Sequence, residues 1–388
     1  MTTFAPARPG RHAARPRMRP TDIALVVVVL VVGLLAAWSF LRPDPHPLGD
    51  PVAYPNTPPA EWSPAATWSS PPLLPGVPPA VVGEDRVAII TDDHSLLLIE
   101  TGQGRTAWST PVPDGPVKTP PTTTRIDGAD VVAAHIGDAL VWWDLESGER
   151  DQLELVPDGA VTFLGTSPLV TLGEGQVAAV LDPQELTPLT VPPGAWAIAA
   201  HEDGQVTAAS SAGWWHLGPN GPQSGAWESS GATPTVAGYT DGVLLLLRPG
   251  SPAVLELHSD RLSDVRFVLS APVVLDTEQV TWNAAPTGGW GILGRAVVDL
   301  QSGAITDLGA WSTRSVLADR AYGHVDGQPV VVGPDLPRGL LAPGEAMPAA
   351  ITSSGALVFG PAAGTAGGVD PRRVENVLYH LPPRERSS

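Results

Sequence analysis

From about residue 80 onward, apolar residues fall in short runs, each opened by a tight polar turn. Gly83-Glu84-Asp85-Arg86 precedes VAII, Asp127-Gly128-Ala129-Asp130 precedes VVAAH, Gly173-Glu174-Gly175-Gln176 precedes VAAVL, and Glu202-Asp203-Gly204-Gln205 precedes VTAA. Asp241-Gly242 before VLLLL, Asp276-Thr277-Glu278-Gln279 before VTW, Val325-Asp326-Gly327-Gln328 before PVVV and Ser353-Ser354-Gly355 before ALVF complete eight copies. Asp-Gly and Glu-Gly pairs accept positive φ, so between apolar runs they predict β-hairpins. A second family of turns interleaves with the first, centred on Gly102, Gly148, Gln184, Asn220, Asp260, Ser302, Leu336 and, faintly, Asp370. From Gly102 to Asp370 is 268 residues over seven intervals, about 38 per unit.

Two hairpin turns in a unit of that size mean four short strands. A lone four-stranded sheet cannot cover both its faces, whereas a closed ring gives every sheet two neighbours. The pattern therefore predicts an all-β fold, a β-propeller of eight blades, or seven if the last unit completes an earlier one. A β-sandwich, or a pair of them, is the competing architecture.

A more specific pattern is strand, acid, two residues, Ser/Thr-Gly, then a later Trp: Asp144 with Ser147-Gly148 and Asp299 with Ser302-Gly303 match its acid and turn, and Thr101-Gly102 with Trp108 its turn and tryptophan. These resemble the repeats of the quinoprotein-like (PQQ-like, WD40-like) β-propeller superfamily over roughly residues 80–382, here in a membrane-anchored bacterial form. Trp108 and Trp227 stand six residues past a turn glycine, farther than that family usually places them, and several repeats lack the Thr-Gly. The resemblance implies an axial funnel that, in the dehydrogenases of this fold, holds a quinone cofactor over a tryptophan floor with Ca²⁺ and an aspartate base. This chain has no cysteine for the disulfide that often covers that cofactor, and no arrangement assignable to the base or the metal. No cofactor, metal or catalytic residue is expected.

The N-terminal region follows a different pattern. Residues 23–41, IALVVVVLVVGLLAAWSFL, contain no charge, and as a helix would measure about 28 Å, close to a bilayer's hydrocarbon thickness. Arg8, Arg11, Arg15, Arg17 and Arg19 precede the run and only Arg42 follows closely, which predicts a cytoplasmic N-terminus. A cleavable signal ending near Ala37-Trp38-Ser39 is the alternative, but the apolar run exceeds the usual signal core. From Arg42 to Pro79 proline recurs, predicting an extended spacer, although Trp62 and Trp68 are unusual in a linker and suggest docking on the first blade. The expected organisation is a basic cytoplasmic tail (1–21), a transmembrane helix (22–41), a proline-rich extracytoplasmic linker (42–79) and a propeller (80–388). The expected location is the plasma membrane, single-pass, with the propeller outside.

Charge then narrows the partners. The chain is formally −18, and beyond residue 41 it carries 17 basic and 39 acidic residues, so nucleic acid is a poor partner. With no cysteine, disulfides and thiolate metal sites are excluded. Gly289-Trp290-Gly291-Ile292-Leu293-Gly294 matches a dinucleotide fingerprint but leads into the strand-like RAVVDL, leaving no helix N-terminus for a pyrophosphate. The histidines His94, His135, His201, His216, His258, His324 and His380 scatter without a metal-binding pair, and no GxSxG raises a serine nucleophile. Asp92-Asp93 and the turn acids could bind Ca²⁺ but are explained as turn residues.

Tryptophan is the residue type left to carry binding. In Trp142-Trp143 and Trp214-Trp215 neighbouring rings on a strand point to opposite faces. Trp143 and Trp215 are the binding candidates if their faces are open; otherwise all four rings are core. Two functions remain: a noncatalytic propeller that binds a protein, peptide or envelope component, and an extracytoplasmic carbohydrate-active hydrolase or lyase. An enzyme should gather carboxylates about 5–10 Å apart at the funnel mouth, whereas a binding module should present apolar or aromatic surface there.

Overall fold

The computed structural model describes residues 48, 51–227, 233–240, 242–250, 253–259, 265–270, 280–336, 338–342, 344–361 and 377–384. The expected tail and transmembrane helix, residues 1–41, lie outside the described residues, as do the turn residues Asp241, Asp260, Asp276–Gln279 and Asp370. No helix occurs among the described residues, and none is therefore long and apolar enough to cross a membrane.

Eight four-stranded antiparallel sheets follow one another along the chain: 80–111, 117–154, 161–190, 196–226, 235–270, 282–307, 311–340 and 348–381, numbered here as blades 1 to 8. Blades 1 to 7 are plain meanders, with the first strand innermost and the fourth outermost. The chain is an eight-bladed β-propeller, as the turn count indicated. Blade 8 differs: its three C-terminal strands are completed by Trp68–Ser69, paired as Trp68 with His380 and Ser69 with Tyr379. The two ends of the domain thus share one sheet, and the ring closes on backbone hydrogen bonds. Blade 8 accordingly has no third-to-fourth turn, because its fourth strand arrives from the N-terminal side; Asp370 falls between its second and third strands.

Blades adhere through apolar clusters built from alternating positions. Ala88, Ile90, Leu96 and Leu98 of blade 1 meet Val132, Ala134, Val141 and Trp143 of blade 2, all fully or nearly fully buried. Residues one step along the same blade 2 strands, Val131, Ala133, Leu140 and Trp142, face Val161, Val170 and Ala178 of blade 3. Period-two alternation therefore puts successive residues into different inter-blade cores.

The region read as a spacer is ordered against the propeller from residue 51. Val52–Ala53 pairs with Ala65–Ala66, and Tyr54, Trp62 and Ala66 pack on Val358, Tyr379 and Leu381 of blade 8. Tyr54 donates its hydroxyl to the Phe359 carbonyl at 2.7 Å. Glu61 accepts from Arg320 of blade 7 at 2.6 Å, and the Ala60 amide donates to Glu345 at 2.9 Å. Residues 51–79 thus pack with the propeller: Trp68 pairs in the outer strand of the last blade and also packs on Val87, Ile89, Leu97 and Ile99 of the first, whereas Trp62 packs on blade 8. Proline density had read as a linker because proline excludes helix and inner strand, while the apolar residues between the prolines supply the docking.

The turn families also sort differently. The first family occupies first-to-second turns in blades 1, 2, 4, 5 and 8, but Glu174-Gly175 and Asp326-Gly327 are second-to-third turns of blades 3 and 7. In a meander those two kinds of turn emerge on opposite faces of the ring.

Candidate functional site

The acid-x-x-Ser-Gly motif builds turns. In blade 2 the Asp144 carboxylate accepts from the Glu146 amide (3.0 Å), the Ser147 amide (2.7 Å) and the Ser147 hydroxyl (2.7 Å). The Ser147 hydroxyl and amide together hold Asp144 below its ordinary pKa. Blade 6 repeats the design: Asp299 accepts from the Gln301 amide (2.8 Å), the Ser302 amide (3.3 Å) and the Ser302 hydroxyl. Burial pushes Asp299 up, but those donors outweigh it and hold its pKa down. Both carboxylates are spent on their own backbone.

The tryptophan of this pattern serves the next repeat. Trp68, on the outer strand of blade 8, lies over Gly104 of blade 1 so closely that a Cβ there would sit 2.5 Å from the ring, and its indole N–H donates to the Thr101 carbonyl at 2.7 Å. Trp108, on the outer strand of blade 1, lies over Gly148 of blade 2 in the same way and donates to the Leu145 carbonyl at 3.2 Å. Gly104 and Gly148 have φ of 60° and 70°, so glycine serves both the turn and the ring above it. Trp227 departs from the scheme, donating to Ser210 of its own blade at 2.8 Å.

At the closure, a buried histidine joins the two chain ends. His380 is 1 % exposed, stacks on Trp68 with ring centroids 5.4 Å apart, and pairs its Nδ1 with Thr67 Oγ1 at 2.6 Å and its Nε2 with Ser354 Oγ at 3.0 Å. Ser354 Oγ continues to Thr101 Oγ1 at 2.8 Å. Burial pulls His380 down to about 4, so the ring is neutral at physiological pH. A serine–histidine pair suggests nucleophilic chemistry, yet so weak a base walled in by Trp68 and threonines is suited to latching.

The binding candidates divide. Trp143 is fully buried between blades 1 and 2 and offers no face to a ligand, which corrects its expected role. Its indole nitrogen is buried without a hydrogen-bond partner among the described residues. Trp142 is 8 % exposed and fills the core between blades 2 and 3. Trp215 is half-buried against the core between blades 3 and 4, and Trp214 packs towards blade 5. The opposite-face geometry of each pair is as the alternation predicts; neighbouring blades cover both faces. Among the described residues the exposed tryptophan is instead Trp196, 46 % accessible at the first residue of the inner strand of blade 4. Nothing in its sequence context distinguishes it.

The structure brings together residues that no motif had singled out. A groove of about 370 Å³ opens at one axial mouth, where Leu73–Pro78 enter blade 1 and Met347–Ala349 begin the inner strand of blade 8. Phe359 closes one side and Arg314, from the inner strand of blade 7, the other. Two of these residues sit in matching β-bulges. Pairing skips Arg314 between Thr313 and Ser315, and skips Ala349 between Pro348 and Ala350. A bulged residue is released from the ladder and can be aimed away from it. Arg314 is exposed and makes no ion pair or hydrogen bond among the described residues, while the adjacent Ser315 hydroxyl donates to the Pro348 carbonyl at 2.8 Å. No carboxylate lines the groove.

Acids gather on the opposite face. Asp127, Asp182, Glu202 and Asp203 surround Arg125, which contacts Glu202 at 2.5 Å and Asp130 at 3.4 Å. Among the described residues no three His, Asp or Glu side chains form a group that could hold a metal ion. Gly289–Gly294 brackets the strand Trp290–Leu293 of a hairpin, with no helix following.

No protein-family model matches the chain, and no curated protein matches its sequence. Among solved structures, the dihydro-heme d1 dehydrogenase NirN in complex with DHE aligns over 81% of this chain and 78% of its own at 13% identity and a TM-score of 0.42. Apo AztD from Citrobacter koseri aligns over 66% of this chain and 83% of its own at 9% identity and a TM-score of 0.41. Both are propeller proteins, and at such distances they say nothing about what this chain binds.

Proposed function

We propose that this chain is a noncatalytic binding protein, held at the outer side of the plasma membrane by residues 22–41, whose propeller captures a protein, peptide or envelope component at the axial mouth. The observation that carries this reading is the groove beside Leu73–Pro78: its lining side chains are apolar apart from Arg314 and Ser315, it contains no carboxylate, and its volume lies at the lower end of the roughly 300–1,000 Å³ of ligand pockets. A glycosidase-type site needs two carboxylates across a cleft. The acids of the other face instead crowd an arginine that they already engage.

A photoreactive amino acid at Met347, in full-length protein expressed in intact cells, tests this. A reproducible adduct that is absent when the label sits at Arg125 is the expected result. Adducts from the Arg125 position alone, or glycan cleavage abolished by mutating Asp182 and Glu202, would overturn it. Protease protection of the C-terminal domain in intact cells would refute the topology.

A further inference from the structure

Resting on the binding role of the groove, we infer that the envelope component it takes is a small apolar monoanion, an aryl or alkyl carboxylic acid, whose carboxylate seats on Arg314. The first reason is charge. This chain has 40 acidic against 22 basic residues. Arg105, Arg125, Arg248, Arg295 and Arg320 each pair with a carboxylate, while Arg86, Arg150, Arg314, Arg338 and Arg384 make no ion pair among the described residues. Arg314 lines a groove whose other walls carry no charge, and among the described residues nothing pairs with it. A guanidinium presents a planar fork that matches a carboxylate bidentately, and such pairs are strengthened beside apolar surface.

The second reason concerns what the groove cannot offer. Pro75, Pro78 and Pro348 have no N–H, and the amides of Leu74 and Val77 are already donated to Ile90 and Leu74 carbonyls at 2.9 and 3.3 Å. The Ser315 proton is likewise engaged by Pro348. An extended peptide needs main-chain partners along its length, and these five positions offer it no amide donor. A compact ligand with one anionic end and an apolar body leaves no polar group stranded. Leu73, Val77, Met347 and Phe359 supply the apolar body's contacts. The bulge that frees Arg314 from strand pairing is what places its charge in the groove.

The test is calorimetric titration of the full-length protein with three matched probes, 3-phenylpropionate, 3-phenylpropanol and 3-phenylpropylamine. The acid should bind at least about tenfold more tightly than the alcohol, the amine should be excluded, and Arg314→Gln should bring the acid to the level of the alcohol. Met347→Trp, which fills the groove without touching the charge, should abolish binding of both neutral and anionic probes while melting as the wild type does. Equal binding of acid and alcohol, or an acid affinity unchanged by Arg314→Gln, would overturn the monoanion assignment while leaving the groove a binding site. Tighter binding of a hydrophobic tripeptide than of the acid would also overturn it, and would support a peptide ligand. A Met347 adduct in cells without any of these affinities would sink the ligand class and keep the binding role.

Discussion

The two faces of the ring use the same residue in opposite ways. On one face Arg125 is surrounded by Asp127, Asp130, Asp182, Glu202 and Asp203 and contacts two of them. On the other, Arg314 stands among leucine, proline, methionine and phenylalanine, and among the described residues nothing engages it. In an acidic protein the first situation is what composition makes common. The second requires a groove from which acids are kept out and a strand bulge that turns the side chain away from its ladder. The lesson is that neither charge density nor concavity identifies a site here: the acidic basin has both, yet its cation is already occupied.

The strongest perturbation should remove the contrast altogether. Trp68→Ala deletes a fully buried ring at the closure, an expected loss of about 3–5 kcal/mol, and a thermal melt should show both faces failing together. If the groove alone were affected, the closure would not be the common support of the two faces.

Acidification should act next on the same seam. His380 lies at about 4 in the folded protein against an ordinary 6.5, so the unfolded chain takes up its proton first as pH falls. Stability is present in full above pH 6.5 and declines between 6.5 and 4, by up to about 3 kcal/mol from this residue. His135, lowered chiefly by burial and then by Lys118, shifts in the same sense. Melting temperatures from pH 7 to 4.5 check this; a profile unchanged by His380→Gln would reassign the effect.

Below these come the two arginines. Arg314→Gln should alter stability by less than about 0.5 kcal/mol while costing about tenfold in affinity for the anionic probe. Arg125→Gln should leave the groove untouched and cost less than about 1 kcal/mol, an effect that fades at high salt because its partners are exposed. A larger affinity loss from Arg125 than from Arg314 would reverse the comparison.

Much of the fold was legible because its signals are local. Asp127-Gly128 between apolar runs can hardly be anything but a hairpin turn, and Trp142-Trp143 announced two rings on opposite faces through alternation alone. The site was not legible. Arg314 has the same sequence context as any strand arginine, and its bulge exists only in how Thr313 and Ser315 pair with Gly323 and Tyr322. Trp143 misled for a related reason: alternation says that a ring points outward from its own sheet, but not that another sheet waits there.

Sequence alone determined an all-β chain of repeating four-stranded units, seven or eight in number, with a charge balance hostile to nucleic acid, because turn chemistry, period-two burial and net charge are properties of neighbouring residues or of simple counts. Tertiary structure decided that Trp68–Ser69 completes blade 8, that Trp108 serves the following blade's glycine, and that Arg314 meets Leu73 and Met347 across a groove. Each of those depends on residues brought together by ring closure, and no local energy term encodes which distant strand will supply the missing hydrogen bonds.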